Sequence, residues 1–204
     1  MIQKISKIVI AVLATITGLY PGIYFVVDRK FGVLSSKPND LLTNAIWNFG
    51  FYTHIILGGV ALLIGWLQFN SKLRLSNLSL HRTIGKIYVA CVLPSSLAGL
   101  GIGFFASGGF IAATGFVGLG IIWFTTTLLA FFKIRNAQIE QHQRLMIYSY
   151  AACLAAVTLR IWLPILIIIF GDFIIAYRIV AWLCWVPNIL IANLIVRKLD
   201  PVGT

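Results

Sequence analysis

Two histidines of this sequence stand beside basic residues at the start of long apolar runs. His81 opens the stretch "LHRTIGKIYVA", in which Arg82 and Lys86 follow it, and His142 opens "QHQRLMIYSYAA", in which Arg144 follows. An imidazole can bind a metal or exchange a proton near neutral pH, and the adjacent cations can neutralise an anionic group. Residues of these types in this pattern mark a candidate binding site.

The composition around these residues is that of a membrane protein. Of the 204 residues 60% are hydrophobic and only 10% are charged. A soluble fold cannot keep so much apolar surface away from water, so the sequence predicts an integral membrane protein. The three cysteines lie inside apolar runs and form no CxxC pair. They are predicted to be packing residues rather than disulfide partners or zinc ligands.

The apolar runs predict an all-α bundle of six transmembrane helices. Twenty uncharged residues between Lys7 and Asp28 suffice for one crossing of a core about 30 Å thick, with a kink expected at Pro21-Gly22. The 46 uncharged residues from 87 to 132 are too many for one crossing, and "SGGF" at 107–110 supplies a turn. The predicted helices cover about residues 8–27, 44–69, 84–106, 110–132, 145–170 and 174–196 of a single domain spanning 1–204.

The basic residues predict the orientation of the bundle. If the N-terminus is inside, the inner segments carry eleven Lys or Arg and the outer segments four, with Arg160 left in the membrane. This asymmetry predicts a multi-pass protein of the plasma membrane with both termini in the cytoplasm. The net charge of +11 then reflects this topology and attraction to anionic lipid, so a nucleic-acid partner is not expected.

The predicted topology places the histidines at two depths. His81 and His142 enter the third and fifth helices from the same side and are expected at similar depth near the cytoplasmic face, whereas His54 lies near the middle of the second helix. At about 100° per residue, Arg160 shares the helical face of His142. Arg160 is expected either to face the bundle or to snorkel to the outer surface.

Four sequence blocks carry a resemblance to a known family. They are "HIILGGVALLIGWLQF", "LHRTIGKIYV", "HQRLMIYSYAACLAAVTLRIWLP" and "WLCWVPN", in this order. In order and spacing they resemble the bacterial membrane family named domain of unknown function 2306, from the second helix to the sixth. The resemblance implies a multi-pass membrane fold and says little about activity.

The arrangement of the histidines is also distantly similar to that of b-type membrane cytochromes, which hold haem between histidines on facing helices. That resemblance implies His81 and His142 as axial ligands of one haem b, basic residues near the propionates, and Gly85 against the macrocycle. No other metal is assigned. The candidate cofactor-binding residues are His54, His81, Arg82, Lys86, His142, Arg144 and Arg160.

Several functions remain open at this stage. The prediction is a haem- or quinone-linked redox component that takes electrons from a quinol or a membrane partner, with no catalytic residue assigned. The alternatives are a non-enzymatic membrane protein that binds lipid or assists a partner, and a small-solute carrier. All five carboxylates lie outside the six predicted helices, which argues against ion coupling through an acidic relay. The inner basic residues can also serve only as interfacial anchors.

Overall fold

The computed structural model describes residues 2–27 and 30–199. Within these residues, six helical segments are long and apolar enough to cross a membrane, so the prediction of an all-α, six-helix membrane protein is confirmed. The elements are α1 (Ile2–Leu19) with a 3₁₀ turn (Tyr20–Phe25), α2 (Asn39–Thr43), α3 (Ala45–Gly65) with a 3₁₀ turn (Trp66–Phe69), α4 (Ser71–Ser76), α5 (Leu78–Gly103), α6 (Phe110–Arg135), α7 (Ile139–Cys153), α8 (Ala155–Phe170), α9 (Phe173–Leu183) and α10 (Val186–Leu199). The pairs α7–α8 and α9–α10 form the fifth and sixth spans.

The spans pack mainly against their neighbours in the chain. Helix α3 packs on α5, α5 on α6, and α6 on α7. Helix α1 contacts α3 and α8, while α9 lies against α6 and α8 and α10 lies against α7. We call the end with residues 70–77 and 136–138 the inner end and the end with residues 26–44 and 104–109 the outer end, after the predicted orientation.

Two spans begin earlier than the sequence predicts. The third starts at Leu78 rather than at residue 84, and the fifth at Ile139 rather than at 145. The prediction placed the third start between Arg82 and Lys86 and the fifth start directly after Arg144. A helix continues through the interface, however, where long charged side chains reach water. As a result His81 and His142 are each the fourth residue of their helix.

Turns and kinks coincide with the expected proline and glycine positions. The first span tightens into its 3₁₀ turn at Pro21. The turn predicted at 107–110 uses Gly109, whose φ of 68° favours glycine. The sixth span breaks before Pro187, which lies in the first turn of α10, where proline is tolerated. The fifth span also breaks, at Leu154, which the sequence did not indicate.

The centre of the bundle contains a buried polar cluster. The Ser149 hydroxyl lies 2.9 Å from the Tyr88 hydroxyl and 2.6 Å from that of Thr127, so three helices are joined through one side chain. The Thr127 hydroxyl also lies 2.7 Å from the main-chain oxygen of Trp123, to which it donates. The three cysteines are buried and free, as predicted.

The outer loop folds back over the bundle. Leu34 is buried, the hydroxyls of Ser36 and Ser107 lie 2.8 Å apart, and Lys37 donates through Nζ to the main-chain oxygen of Phe105. These contacts tie residues 30–44 to the turn between α5 and α6. Asp28 and Arg29, which the charge count assigns to this loop, lie outside the described residues, as does Asp200.

Candidate cofactor site

One ring nitrogen of His142 is held by the main chain of α6. Nδ1 lies 2.9 Å from the main-chain oxygen of Ala130, and because a carbonyl can only accept, Nδ1 carries the proton. In the neutral tautomer with this bond, the lone pair is on Nε2. Histidine ligands of metals commonly use such a bond to a main-chain carbonyl to fix ring orientation and tautomer. Ala130 is fully buried, which makes its carbonyl a rigid anchor.

His81 lies close to His142 at the inner end. Its ring is within electrostatic range of His142, Arg74 and Arg82. Its Nδ1 atom is buried and has no hydrogen-bond partner among the described residues, which is uncommon for a buried polar atom. The structure thus places both histidines in the first turn of helices that start at the inner end, and leaves one buried nitrogen of His81 without a hydrogen bond among the described residues.

The basic residues of the inner end differ in their surroundings. Arg82 and Lys86 are exposed near the inner end of α5. Arg144 is half-buried and already engaged in an interaction. Arg74, on α4, was not among the predicted site residues, yet its charge acts on His81. The inner pair therefore lies in a positive environment.

Both the available ligands and the available space bear on whether a haem suits this place. A pair of imidazoles matches the two axial positions of a haem iron. The described residues contain no group of three or more His, Cys, Asp or Glu side chains that would hold a metal by themselves, as a structural zinc site would need. A Cβ on Gly85, however, would lie 3.2 Å from Oε1 of Gln68. The buried Gln68 side chain occupies the space expected for the macrocycle and would have to turn away.

His54 forms a separate site deeper in the membrane. Its Nδ1 lies 2.9 Å from the main-chain oxygen of Ser95, and the Ser95 hydroxyl donates to the main-chain oxygen of His54 at 2.9 Å. The His54 ring meets Trp123 edge-on, with centroids 6.4 Å apart. As predicted, His54 lies within its helix and away from the helix entry, and it pairs with α5 rather than with another histidine.

Arg160 is directed into the bundle rather than to the outer surface. Its guanidinium carbon lies 4.3 Å from the centroid of the Tyr20 ring, and Nη1 donates to the main-chain oxygen of Ala156 at 2.8 Å. Its charge acts on His54 and Tyr24. The expectation that it follows the face of His142 assumed one regular helix, which the break at Leu154 interrupts.

Several residues of these sites were missed by sequence reasoning. Ala130 contributes a main-chain oxygen, which no residue type can reveal. Tyr20 and Tyr24 were not singled out, because the contact of α1 with α8 is visible only in the tertiary structure. Gly99 was also missed; it lets the His54 ring approach α5, since a Cβ there would lie 2.9 Å from Nδ1 of the ring.

Comparisons with known proteins agree with this architecture. The model of a family described as "Predicted membrane protein (DUF2306)" matches residues 51–196. The matched segment contains His54, His81, His142 and Arg160, whereas α1 and Tyr20 precede it. No curated protein and no solved structure is similar enough to this chain to count as a match.

Proposed function

The chain belongs to the DUF2306 family of membrane proteins, and we propose that it is a redox component of the membrane that holds one haem b between His81 and His142. The observation that supports this proposal is the position of both histidines in the first turn of helices that start at the inner end. Each is the fourth residue of its helix, and the rings lie within electrostatic range of each other.

The protein side of the site is partly organised for such a ligand. The Ala130 carbonyl fixes the His142 ring and leaves Nε2 as the coordinating atom. The cations of Arg74 and Arg82 lie near His81 and suit the carboxylates of haem propionates. Gln68 must rotate away from Gly85 to admit the ring. Haem would supply one-electron chemistry, with a quinol or a membrane protein as the electron donor.

A quinone headgroup is the second candidate for the same place. The observation that favours it is the buried Nδ1 of His81, which has no hydrogen-bond partner among the described residues. A quinone carbonyl oxygen can accept a hydrogen bond from this nitrogen when it carries the proton. This alternative uses His81 as a hydrogen-bond donor rather than as a ligand, so it requires no second histidine.

Absorption spectroscopy of the purified protein tests the haem. The chain should be expressed with haem supplementation and purified in detergent. We expect about one haem per chain and a sharp Soret band that shifts on reduction with dithionite. His81→Ala and His142→Ala should each abolish the band, because an axial ligand is lost. His54→Ala is the matched control and should keep it, and a thermal melt of each variant confirms folding.

The opposite results separate the candidates. A folded protein that remains colourless after haem supplementation contradicts the haem proposal. Organic extraction of the same preparation then tests the second candidate: quinone that co-purifies with the wild type and is lost in His81→Ala supports it. If neither ligand is found, the remaining candidate functions are binding of lipid, assistance of a partner protein and transport of a small solute.

A further inference from the structure

A second polar cluster lies in the outer half of the bundle, on the far side from His81 and His142. It joins Tyr20 and Tyr24 of the first span and Arg160 of the fifth. We propose that this cluster is an anion-binding site that takes a carboxylate or phosphate group on Arg160. The proposal is independent of the haem, since neither inner histidine takes part in it.

The first argument is an uncompensated charge. The guanidinium of Arg160 remains protonated in proteins, and a cation in a membrane span is unfavourable unless something offsets it. The groups whose charge acts on Arg160 are the phenols of Tyr20 and Tyr24, and no carboxylate of the described residues contributes. Phenols are neutral near pH 7. The described part of the protein therefore leaves a positive charge for a ligand to neutralise.

The second argument is an unused donor. Arg160 donates through Nη1 to Ala156, on its own helix. Its Nε atom is buried and has no partner among the described residues. Buried polar atoms in native proteins are almost always hydrogen-bonded, and a guanidinium presents its donors in a planar fork that matches the two oxygens of a carboxylate or phosphate. Charge and donor geometry thus favour the same class of ligand.

The third argument is the contact with Tyr20. The guanidinium carbon lies 4.3 Å from the ring centroid, so the aromatic ring covers one face of the cation. A cation over the face of an aromatic ring is attracted by the ring quadrupole, which holds the guanidinium in place without neutralising its charge. The Tyr20 ring packs edge-on against Tyr24, with centroids 5.9 Å apart. Tyr24 in turn packs edge-on against Phe51 of α3, at 5.4 Å. The Arg160 cation therefore packs against a row of aromatic rings formed by Tyr20, Tyr24 and Phe51.

The surroundings allow two sources for the anion. Both tyrosine hydroxyls lie near Gly32, at 3.4 and 3.5 Å from the position of a Cβ there, so the cluster lies against the outer loop, the side from which a solute would come. Leu19 and Ile161, which flank Tyr20 and Arg160 in sequence, are exposed and lie in spans that face lipid. The headgroup of an anionic amphiphile can therefore approach laterally. The shared chemistry is a carboxylate or phosphate oxygen.

Ligand-induced thermal stabilisation tests the site in the full-length protein. The probes are phosphatidylglycerol added to protein in phosphatidylcholine nanodiscs, oleate, and inorganic phosphate. A probe at about 100 times its Kd should raise the Tm of the wild type by about 5–10 °C. Arg160→Gln should lose this shift. Arg178→Gln is the matched control, because Arg178 is another cation of the outer half whose Nε bonds the main-chain oxygen of Gly108 at 2.8 Å, and it should retain the shift.

The probe that gives an Arg160-dependent shift identifies the source. Phosphatidylglycerol or oleate indicates an amphiphile, and inorganic phosphate indicates a solute; either result supports the site. No shift of the wild type with any probe overturns the proposal, as does an equal shift in wild type and Arg160→Gln. If Arg160→Gln does not fold, Arg160→Lys takes its place. It keeps the charge and loses the fork, so the Kd should rise by about tenfold, and an unchanged Kd would count against the site.

Asp28 is the anion within this chain that can compete with the proposal. It lies four residues after Tyr24 and outside the described residues. If Asp28 neutralises Arg160, then Asp28→Asn and Arg160→Gln should lower the Tm of the ligand-free protein equally, and the double variant should lower it no further. That result would overturn an external ligand. If instead the two substitutions change the Tm independently, and Asp28→Asn keeps the ligand-induced shift, the result supports an external ligand.

Discussion

His54 and Ser95 bind each other twice across the interface between α3 and α5. The His54 ring donates from Nδ1 to the main-chain oxygen of Ser95 at 2.9 Å, and the Ser95 hydroxyl donates to the main-chain oxygen of His54 at the same distance. The approach is possible because residue 99 is glycine. A Cβ there would lie 2.9 Å from Nδ1 and 3.1 Å from Cε1 of the ring.

Gly99→Ala should therefore destabilise the protein. The added methyl group collides with the His54 ring, which cannot move without losing its bond to Ser95. We expect a loss of about 1–3 kcal/mol in the free energy of unfolding, measured by denaturation in mixed micelles. Gly101→Ala is the control on the same helix, because nothing lies within 4 Å of a Cβ at that position. It should be neutral or slightly stabilising, and equal losses for the two variants would contradict the explanation.

The buried hydroxyl of Ser149 should contribute more to stability than another buried serine hydroxyl. Ser149→Ala removes the bridge between Tyr88 and Thr127 and should lower the free energy of unfolding by about 1–2 kcal/mol. Ser96 is equally buried, but its hydroxyl donates to main-chain oxygens of its own helix, those of Val92 and Leu93. Because these oxygens also accept helical N–H groups, Ser96→Ala should have a smaller effect. A larger loss for Ser96→Ala than for Ser149→Ala would show that the cluster does not join the helices.

The stability of the outer loop should depend on pH through Lys37. Burial lowers the pKa of this amine from its ordinary value of 10.5 to about 8. Between these pH values the unfolded chain binds more protons at Lys37 than the folded chain does. The free energy of unfolding should therefore rise with pH across that window, and the unfavourable burial of the charge is fully present below pH 8.

Lys37→Met isolates this contribution. The variant keeps a long side chain and has no proton to lose, so the difference in Tm between it and the wild type should change from pH 8 to pH 10.5. A constant difference across the window would mean that Lys37 titrates normally in the folded protein.

Both termini and the loop around Ser76 are predicted to be cytoplasmic. Ser35 and Ser76 are exposed at opposite ends of the bundle and suit cysteine labelling in intact cells. An impermeant maleimide should label Ser35→Cys directly and Ser76→Cys only after lysis. The native cysteines are buried, so the wild-type chain provides the background. The opposite pattern of labelling would invert the topology.

The number of spans and the placement of His81 and His142 at one end of the bundle were available from the sequence alone. The length of an apolar run that crosses a membrane is set by bilayer thickness, and a buried backbone must satisfy its own hydrogen bonds as helix. Alternate spans run in the same direction, so residues at the start of the third and fifth spans share an end. Helix starts were harder to place, because helical hydrogen bonding continues past the last apolar residue; Leu78 and Ile139 both precede the predicted starts.

The tertiary structure decided which atoms meet. The sequence left Arg160 free to face the bundle or the outer surface, and the packing of α1 against α8 places it on Tyr20. The bond from His142 to Ala130 and the position of Gln68 against Gly85 join elements that are near each other in the sequence, but both depend on how each helix is rotated in the bundle. Helical periodicity states which residues share a face, but the rotation of each helix and the choice of its neighbours result from packing of the whole bundle.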